Sequence, residues 1–431
     1  MLQKIKNLFF HLPKSIICNF IQGNPSKELT LIGVTGTDGK TTTSILLYQA
    51  LKKAGFKTGV ITTIGAEYAD NQKIDTGLHM TSPDPSLTQK ILKEMQKAGV
   101  THVVCEVTAH ALDQYRYHGV NFDTAILTNT SHEHLDYFSN LDHYIETKSK
   151  IFNQAQHAIL NKDDQSFNYI KSKIKIPFST FSIKNKSNFQ ATNIKNDNKE
   201  LQFKVNDLLI KTDSKYNYQI NNILAALAVF KKLNIDSKYL IETVKKFPQT
   251  KGRREEVPNT LKINAIIDFA HTPAALESTL SSLKKKDKKL IVIFGATGGR
   301  DKTKRPQMGK IVSELSDIAF ITADDTSNEN IKDINQDIIS GINPQQSQYI
   351  DYQQLTPKKI KELSKEKNKK FIYFNIPNRQ DAFNLAVKIS QAGDTIIACG
   401  KGHENTILHG RTEYPWSESE AFRTAFNFKK L

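Results

Sequence analysis

The segment 33–43, which reads GVTGTDGKTTT, constrains the fold of this chain more than any other feature. It follows a short apolar run and precedes a helical pattern, so a strand should end and a helix should begin around it. Glycines let such a loop turn with its N–H groups pointing inward, while Lys40 supplies a positive charge and Thr41 a hydroxyl group. This order of elements favours a phosphate nest over a glycine-rich turn that binds nothing. We therefore predict ATP and Mg²⁺ as ligands, with ATP contacted by Gly36, Thr37, Asp38, Gly39, Lys40, Thr41 and Thr42.

The length and composition predict a multidomain protein. With 431 residues, of which 38% are hydrophobic, the chain can bury at least two cores. Its formal net charge of +16 favours polyanionic partners, but the lysines are spread along the chain and the sequence carries no nucleic-acid-binding motif. We therefore expect small-molecule substrates, no nucleic-acid partner and a monomeric protein. The three cysteines are too few and too scattered for a disulfide framework or a zinc site, which indicates a cytoplasmic location.

The N-terminal sequence, MLQKIKNLFFHLPKSIICNFI, has a basic start followed by an apolar patch. This order is similar to a signal peptide, but Pro13 and Lys14 interrupt the patch and no small-residue cleavage site follows. No segment reaches the ~18 apolar residues of a membrane span, so we expect no stable membrane insertion. The pattern predicts a short amphipathic helix packed on its own domain. A peripheral membrane contact through the same face is the alternative.

Short β-rich runs alternate with helical stretches, which is typical of α/β domains with mostly parallel sheets. One series of runs begins at Leu29 and a second follows Gly252. Between them, a polar stretch at 184–215 alternates like hairpin strands, and the helical segment NNILAALAVFKKL follows. The strand candidates are LTLIGV, TGVITT, THVVCEV, NAIIDFA, KLIVIFG, IAFITA, FIYFN and TIIACG. We predict an α/β fold with a short N-terminal helical segment (1–29), a central P-loop-type parallel-sheet ATPase domain (30–245) and a Rossmann-like C-terminal domain (246–431).

Polar residues lie at the ends of two apolar runs, where the strands of α/β sheets bind ligands. Glu106 lies in THVVCEV, and the segment TNTSHEHLDYF follows the apolar run TAIL. A carboxylate and an imidazole near nucleotide phosphates are suitable Mg²⁺ ligands, whereas zinc is less favoured because no cysteine joins the histidines at ligand spacing. Helix-capping and surface roles are the alternative. The candidates in the second segment are Asn129, His132, Glu133, His134 and Asp136.

A third cluster, GATGGRDKTKRPQMG, lies between the strand candidate KLIVIF and a helical pattern. Its glycines and cations indicate a bound anion, although basic surface loops are also common. Two shorter segments place polar residues at other strand ends: DFAHTPAAL contains Asp268 and His271, and ACGKGHE contains His403 and Glu404. The charged residues of the third cluster are Arg300, Asp301, Lys302, Lys304 and Arg305.

Taken in this order, the motifs resemble those of the Mur ligase family, and most of all its MurE branch, which adds the third amino acid to a cell-wall precursor. The similarity extends from about Thr30 to the end of the sequence. The family's phosphate loop is shifted relative to a strict Walker A pattern, which accounts for Val34 where that pattern requires glycine. The other matching blocks are EVTAHALDQYR, LTNTSHEHLDY, YIETKSKIF, GRREE, DFAHTP, FGATGGRDKTKRPQMG and GKGHE.

The resemblance implies ATP-dependent formation of a peptide bond through an acyl phosphate. A substrate carboxylate attacks the γ-phosphate, and the incoming amine then displaces phosphate. The implied catalytic residues are Lys40, Glu106, His134 and Lys148. The implied Mg²⁺ ligands are Thr41, Glu106, His134 and a carbamylated Lys148. A bare ammonium would repel Mg²⁺, whereas a carbamate presents anionic oxygens; an ordinary surface lysine is the alternative.

The resemblance also implies binding residues for each substrate. Those for the acyl substrate are Thr81, Ser82, Thr108, Gln114 and Arg116. Those for the adenine and ribose of ATP are Asn222, Arg253 and His271. Those for the incoming amino acid are Arg305, Gly400 and Glu404, together with Asp324, Asp325 and Ser327.

One departure from the family pattern concerns the acceptor. Only 29 residues precede Thr30, so we expect almost none of the family's UDP-binding first domain in this sequence. Either another protein then holds the uridine, or the acceptor lacks UDP, as in ligases of the folylpolyglutamate or polyglutamate type. A protein that binds ATP without ligation is a further alternative, which the retained Glu106, His134 and Lys148 disfavour.

A second departure concerns the amino acid. Diaminopimelate-adding members carry Asp-Asn-Pro-Arg where this sequence has Asp324-Asp325-Thr326-Ser327. Loss of the arginine removes a charge-assisted hydrogen bond worth roughly 1.5 to 3 kcal/mol. The added carboxylate of Asp325 suits a distal ammonium, so we expect lysine to be preferred over diaminopimelate.

Overall fold

The computed structural model describes residues 2–68, 72–74, 81–131, 137–197, 200–214, 216–284, 287–365 and 370–430. The chain divides into two units, Met1–Pro248 and Gln249–Leu431, which are described in turn as unit 1 and unit 2. Among the described residues, no helix is both long and apolar enough to cross a membrane.

Unit 1 is built on one mixed sheet. Its strands are β1 (Thr30–Thr35), β2 (Thr58–Thr62), β3 (Gly65–Tyr68), β4 (Gln72–Ile74), β5 (His102–Glu106), β6 (Thr124–Leu127), β7 (Ala158–Asn161), β8 (Phe178–Ser182), β9 (Phe189–Asn196), β10 (Leu201–Val205) and β11 (Leu208–Thr212). Their order in the sheet is β11-β10-β9-β8-β7-β6-β1-β5-β2-β3-β4. The strands from β9 to β2 in that order run parallel, and both edges are antiparallel. Val34 pairs with Glu106, so the ends of β1 and β5 lie side by side.

Helices cover both faces of this sheet. They are α1 (Leu2–Lys6), α2 (Leu12–Ile21), α3 (Lys40–Lys53), α4 (Pro85–Lys97), α5 (Ala109–Asp113), α6 (Leu141–Ser149), α7 (Phe167–Lys173), α8 (Gln219–Lys232) and α9 (Lys238–Lys245), with shorter helical turns at Asn7–His11, Pro25–Glu28 and Lys150–Gln154. Ile32 packs with α3 and α8 on one face, and Leu31 packs with α4 on the other. Successive strand residues point to opposite faces, so a parallel strand covered on both sides is apolar throughout.

The N-terminal helices pack on their own unit, as predicted. α2 contacts α4, and Lys14 Nζ lies 2.7 Å from Asp84 Oδ2 at the start of α4. The face that is buried is polar, however, and it includes Asn7, Ser15 and Asn19.

Unit 2 contains a second sheet and a small hairpin. Its strands are β12 (Glu255–Glu256), β13 (Asn264–Asp268), β14 (Leu290–Phe294), β15 (Ile318–Ile321), β16 (Ser347–Tyr349), β17 (Phe371–Asn375), β18 (Thr395–Cys399), β19 (Thr406–His409) and β20 (Thr412–Pro415). The sheet order is β12-β13-β18-β14-β15-β17-β16, in which β12 alone among the described strands is antiparallel to its neighbour. β19 and β20 form the hairpin.

Helices also surround the sheet of unit 2. They are α10 (Pro273–Leu283), α11 (Lys304–Leu315), α12 (Ile331–Ile339), α13 (Pro357–Lys365), α14 (Arg379–Ile389) and α15 (Glu418–Lys430), with a short turn at Tyr352–Gln354. Phe383 of α14 and Phe422 of α15 pack on Ile396 of β18 in the core of this unit.

The predicted α/β class is confirmed. Each strand candidate named from the sequence overlaps one of the strands, because apolar β-branched runs between helical patterns form buried parallel strands. The polar stretch at 184–215 forms β9, β10 and β11, and the apolar segment after it forms most of α8.

Candidate active site

The phosphate loop lies between β1 and α3, and its shape depends on two glycines. Gly36 has φ +149° and Gly39 has φ +81°, which L side chains rarely adopt. A Cβ atom at Gly36 would lie 1.9 Å from Thr128 Oγ1, and one at Gly39 would lie 2.6 Å from Asn222 Oδ1. The loop therefore needs glycine at both positions, and α3 begins directly after it at Lys40.

The chain that follows β6 holds the phosphate loop in place. Asn129 accepts hydrogen bonds from Thr37 N at its backbone oxygen (2.9 Å) and from Asp38 N at Oδ1 (2.8 Å). The Thr128 hydroxyl donates to Asp38 O at 2.6 Å. Within the loop, Lys40 Nζ donates to Thr37 O at 2.8 Å. Asn129, a polar residue that was considered as a candidate near Mg²⁺, thus holds the phosphate loop through hydrogen bonds.

Thr41 and Glu106 form a buried pair at the start of α3. Thr41 Oγ1 lies 3.1 and 3.0 Å from the two carboxylate oxygens of Glu106, which is 1% exposed. Thr63 donates to the same carboxylate from its backbone N–H and its hydroxyl, both at 3.1 Å. A hydroxyl and a carboxylate beside a phosphate loop are the oxygen donors that Mg²⁺ prefers, so this pair fits the ion. Thr42, the remaining predicted loop residue, is half-buried in the same turn of α3.

Lys148 reaches the phosphate loop from α6. Its side chain is buried, its Nζ donates to Gly36 O at 2.6 Å, and Nζ lies 4.3 Å from the centre of the Tyr144 ring. This position beside the loop differs from that of an ordinary surface lysine. His134 lies outside the described residues, as do His132, Glu133 and Asp136.

Ser82 links the predicted acyl-substrate residues to the end of β5. Its hydroxyl donates to Glu106 O at 3.1 Å and accepts from Thr108 N at 3.1 Å. Thr108 in turn caps α5, because its side-chain oxygen accepts from Ala111 N. Thr81 precedes Ser82 and is half-buried.

Arg116 and Gln114 complete this group. Arg116 donates to Ser82 O at 2.6 Å through Nη1, and to Gln114 Oε1 at 3.0 and 2.7 Å through Nε and Nη2. Burial lowers the pKa of Arg116, and the nearby carboxylate of Asp84 opposes this effect. The structure therefore joins Ser82, Thr108, Gln114 and Arg116 in one hydrogen-bonded group around a guanidinium, which is suited to a carboxylate ligand.

Asn222 lies beside the phosphate loop. It is 4% exposed, its Oδ1 accepts from Thr43 Oγ1 at 3.1 Å, and its Nδ2 donates to Gln219 Oε1 at 2.7 Å. The bond from Thr43 ties α8 to the first turn of α3, and the bond to Gln219 holds the Asn222 side chain within α8. The predicted contact of Asn222 with adenine or ribose stays a prediction.

Arg253 and His271 meet at Phe269 in unit 2. The guanidinium carbon of Arg253 lies 4.5 Å from the centre of the Phe269 ring. His271 Nδ1 lies 2.8 Å from Phe269 O, and the two ring centres are 4.8 Å apart. His403 approaches the same ring, with 5.0 Å between ring centres. The structure thus brings two predicted nucleotide-binding residues together. The aromatic rings and the guanidinium plane at this position are groups on which a purine can stack.

A buried lysine that the sequence analysis missed lies among the predicted amino-acid-binding residues. Lys401 is 0% exposed, and its Nζ lies 2.7 Å from Asp325 Oδ1, 2.5 Å from Glu404 Oε2 and 3.9 Å from Asp324 Oδ1. Burial opposes its charge, but the three carboxylates outweigh burial and raise the pKa of Lys401. A Cβ atom at Gly400 would lie 2.4 Å from Asp324 Oδ2, so this glycine also borders the cluster.

This arrangement corrects the role expected for Asp325. Its Oδ1 accepts from Lys401 Nζ at 2.7 Å and from Leu408 N at 2.8 Å, so its charge is balanced within the protein. It is therefore not a free carboxylate that awaits a distal ammonium. Asp324, Asp325 and Glu404 are close enough to hold a metal ion, but Lys401 already places a cation among them.

Arg305 also differs from its expected role. Its guanidinium is fully buried and donates to Asp337 at 2.9 Å, to Glu329 at 3.0 and 3.1 Å, and to Thr297 O at 3.2 Å. Burial opposes the charge, but Glu329 and Asp337 raise the pKa of Arg305. The same guanidinium lowers the pKa of Glu329 to about 2. Arg305 thus holds the loop after β14 to Glu329, which corrects the expectation that it faces the amino acid.

The glycine-rich loop after β14 packs against the segment after β15. A Cβ atom at Gly298 would lie 1.9 Å from Thr326 O, and one at Gly299 would lie 3.6 Å from Ser327 Cβ. Ser327 has φ +48° and forms an isolated bridge with His409. The third sequence cluster and the predicted amino-acid segment are therefore neighbours.

Several residues that support the site were not predicted. Lys401 and Thr128 lie inside two of the segments that resemble family motifs, GKGHE and LTNTS, so the motifs could have identified them. Thr63 and Glu329 lie outside every block, and only the fold brings them to Glu106 and Arg305.

Two family models match this chain: the Mur ligase middle domain over residues 34–230, and the Mur ligase, glutamate ligase domain over residues 252–402. The chain is 37% identical over 395 residues to the UDP-N-acetylmuramoyl-L-alanyl-D-glutamate–2,6-diaminopimelate ligase of Clostridium perfringens, covering 89% of this chain and 75% of that protein. It is 33% identical over 406 residues to the UDP-N-acetylmuramyl-tripeptide synthetase of Deinococcus radiodurans, covering 92% and 78%.

Solved structures show the same fold. A UDP-N-acetylmuramoyl-L-alanyl-D-glutamate–2,6-diaminopimelate ligase matches with a TM-score of 0.62 and 24% identity, covering 99% of this chain and 83% of that chain. The MurF ligase of Thermotoga maritima in complex with ADP matches with a TM-score of 0.65 and 17% identity, covering 96% and 84%. Since the family models cover most of the sequence and the relatives exceed 30% identity, the chain belongs to the Mur ligase family of ATP-dependent ligases that form amide bonds.

Proposed function

We propose that this chain adds an amino acid to the terminal carboxylate of a UDP-N-acetylmuramoyl-dipeptide in peptidoglycan precursor synthesis, with conversion of ATP to ADP and phosphate. The relatives described above are named for this step. The observation that carries the proposal is the position of Glu106. Its carboxylate pairs with Thr41 at the phosphate loop, and its backbone oxygen accepts from Ser82 of the acyl-substrate group. The acceptor carboxylate must lie next to the γ-phosphate for a phosphoryl group to be transferred, and Glu106 contacts both the phosphate loop and the acyl-substrate group.

The phosphate loop would bind the β- and γ-phosphates of ATP. The N-terminus of α3 presents backbone N–H groups and a partial positive charge to an anion. Lys40 would exchange its present bond to Thr37 O for the phosphate oxygens, where its charge stabilises the transition state. The glycines keep side chains out of this space.

Mg²⁺ would be held by Thr41 and Glu106, and by His134 on the strength of its motif. When bound, the ion neutralises charge on the transferred phosphoryl group. We propose that Lys148 is carbamylated: its neutral amine adds to carbon dioxide with loss of a proton, and the buried cation becomes an anion. Its place against Gly36 O, on the loop itself, supports this role because the modified side chain would then balance the ion's charge.

The acyl-substrate group would hold and orient the acceptor. The guanidinium of Arg116, with Gln114, Thr108 and Ser82 around it, offers donors to a carboxylate or to peptide oxygens. An acceptor carboxylate held there attacks the γ-phosphate to give an acyl phosphate and ADP. The amine of the amino acid then attacks the acyl carbon and loses a proton, and phosphate leaves.

The amino acid would bind beside the cluster of Asp324, Asp325, Glu404 and Lys401. We propose that lysine is preferred over diaminopimelate. Because Asp325 is paired with Lys401, this preference now depends on Ser327, which offers no guanidinium to a distal carboxylate. Phosphate release with each amino acid tests it, and faster turnover with diaminopimelate would disprove it.

The alternatives raised from the sequence are not proposed. The relatives described above are named for UDP-linked muramyl substrates, which favours that acceptor over folylpolyglutamate or polyglutamate types. A binding protein without activity does not fit the family. We propose the cytoplasm as the location and a monomer as the working form, and the three free cysteines suit a reducing compartment.

The test is a ligation assay on the purified chain. ATP, Mg²⁺, UDP-N-acetylmuramoyl-dipeptide and a panel of amino acids are incubated with the protein, and the tripeptide product is identified by mass spectrometry. We expect product and ADP in equal amounts, loss of both in Lys148→Ala, and full activity in the control Lys90→Ala, whose side chain is 65% exposed. ADP formation without product, or full activity in Lys148→Ala, would contradict the proposal.

A further inference from the structure

The N-terminal helices of unit 1 expose an unusually apolar face. Across residues 5–21, large hydrophobic side chains are 49% to 79% exposed, and these make up nearly half of the exposed large hydrophobic residues in the described chain. Phe9 is 74% exposed and Phe20 is 79% exposed. The residues of this face, called the apolar face below, are Ile5, Leu8, Phe9, Phe10, Ile16, Ile17, Phe20 and Ile21.

The opposite side of the same segment is polar, and that side is buried on unit 1. Asn7 is 3% exposed and its Nδ2 donates to Asp113 Oδ2 at 2.7 Å. Ser15 is 1% exposed, and Asn19, one turn later, is 8% exposed and donates to Gly119 O at 3.3 Å. A helix that packs only on its own domain buries its apolar side. Here the reverse orientation is fixed by hydrogen bonds, so the apolar face is presented outward.

The charge of the segment indicates what covers the apolar face. Residues 1–27 contain four lysines and no aspartate or glutamate. Lys14 is paired with Asp84, whereas Lys6, which follows Ile5 of the apolar face, is exposed. Aromatic and aliphatic side chains flanked by lysines are typical of helices that lie in the headgroup region of anionic membranes.

We propose that the apolar face docks on the surface of an anionic lipid bilayer, with α1 and α2 lying in the plane of the headgroups. α2 is ten residues long, too short to span the hydrocarbon core. Asp113, which holds Asn7, ends α5 and directly precedes Gln114 of the acyl-substrate group. Docking therefore brings the acceptor-binding end of unit 1 close to the membrane. The inference does not depend on the proposed ligation, because lipid binding is measured without substrates.

The test is sedimentation of the full chain with lipid vesicles. We expect binding to phosphatidylcholine vesicles that contain phosphatidylglycerol, little binding to pure phosphatidylcholine, and release at high salt as the lysines are screened. The double variant Phe9→Ser, Phe20→Ser removes two exposed side chains, so the fold should stay intact. Its partition coefficient should fall by roughly tenfold or more for each phenylalanine, as expected for an aromatic side chain left in water.

Phe428→Ser is the matched control, because Phe428 is 56% exposed at the other end of the chain. It should bind vesicles like the wild type, and circular dichroism should be the same for all three proteins. Equal binding of the double variant and the wild type would overturn the proposal, as would the absence of binding to anionic vesicles. A dimer in sedimentation velocity without lipid, lost in the double variant, would assign the apolar face to a second copy of the chain and would also overturn it.

Discussion

Removal of the positive charge at Lys401 should destabilise unit 2 strongly. In the wild type, Lys401 Nζ lies within 4.0 Å of carboxylate oxygens of Asp324, Asp325 and Glu404, and the lysine is fully buried. Lys401→Met keeps much of the side-chain volume but leaves three carboxylates without their common cation. Buried carboxylates that lack a compensating cation strongly destabilise the folded state.

The size of the effect follows from these contacts. Breaking a buried ion pair by removing one partner costs about 3 to 5 kcal/mol. For a unit of 150 to 250 residues, each kcal/mol lowers Tm by about 2 to 4 °C, so the unfolding transition of this part of the chain should fall by roughly 6 to 20 °C. The exposed Lys310, whose side chain is 67% exposed, provides the control: Lys310→Met should change Tm by no more than about 2 °C.

The raised pKa of Lys401 determines how its contribution to stability changes with pH. Because the pKa of Lys401 is raised above 10.5, its stabilising contribution is complete below pH 10.5 and is lost only as pH rises through the raised value. The deficit of Lys401→Met relative to the wild type should therefore be fully present at pH 7 and should shrink as pH rises above 10.5, where the wild type loses the same positive charge.

Differential scanning fluorimetry of wild type, Lys401→Met and Lys310→Met at pH 7 and above pH 10.5 measures both effects. Adding Asp325→Asn to Lys401→Met removes one unpaired carboxylate and should restore part of the lost Tm. A deficit no larger than that of the control, or one that does not change with pH, would refute the role assigned to Lys401.

Four further changes test other parts of the site. Glu106→Gln should lower kcat for ADP formation about a hundredfold or more and raise the Mg²⁺ concentration needed for half-maximal rate, since a charged oxygen ligand is lost; unchanged Mg²⁺ dependence would rule out its role as a ligand. Gly36→Ala should cost about 1 to 3 kcal/mol of stability and abolish ATP binding in calorimetry, because its Cβ would lie 1.9 Å from Thr128 Oγ1 at φ +149°. Ser327→Arg should shift preference towards diaminopimelate by about tenfold in kcat/KM, and an unchanged ratio to lysine would remove Ser327 as the determinant. The pKa of Glu329 is lowered to about 2, so its contribution to stability should be complete above pH 4.5 and lost as pH falls towards 2; Glu329→Gln should therefore lower Tm at pH 7 but have little effect near pH 2.

The sequence predicted most reliably what is encoded locally. Gly36, Gly39 and Lys40 define a turn between a strand and a helix, and the structure has that turn because each glycine adopts a conformation closed to other residues. The position of a residue at a strand end was the second reliable basis for prediction. Glu106 was predicted to face the nucleotide because the ends of neighbouring parallel strands meet at one edge, and it lies beside Thr41.

Contacts between distant side chains could not be predicted in this way. Asp325 and Lys401 are separated by 76 residues, and no periodic pattern records that they pair. Arg305 was predicted to bind the incoming amino acid because its block resembles a family motif, yet Glu329 and Asp337 enclose it in the folded chain. Such pairings depend on which loops the topology brings together, and a hydrophobic pattern specifies only which faces are buried.

The two-sided position of Glu106 has a thermodynamic consequence. The carboxylate and the backbone carbonyl of Glu106 belong to one residue at the end of a strand. A ligand that fixes the position of Thr41 and a ligand that fixes the position of Ser82 therefore both restrict the same backbone segment. Affinities that share such a segment are linked reciprocally: if nucleotide tightens acceptor binding by a given factor, acceptor must tighten nucleotide binding by the same factor. We therefore expect heterotropic cooperativity between the triphosphate and the muramyl peptide, rather than independent filling of their sites.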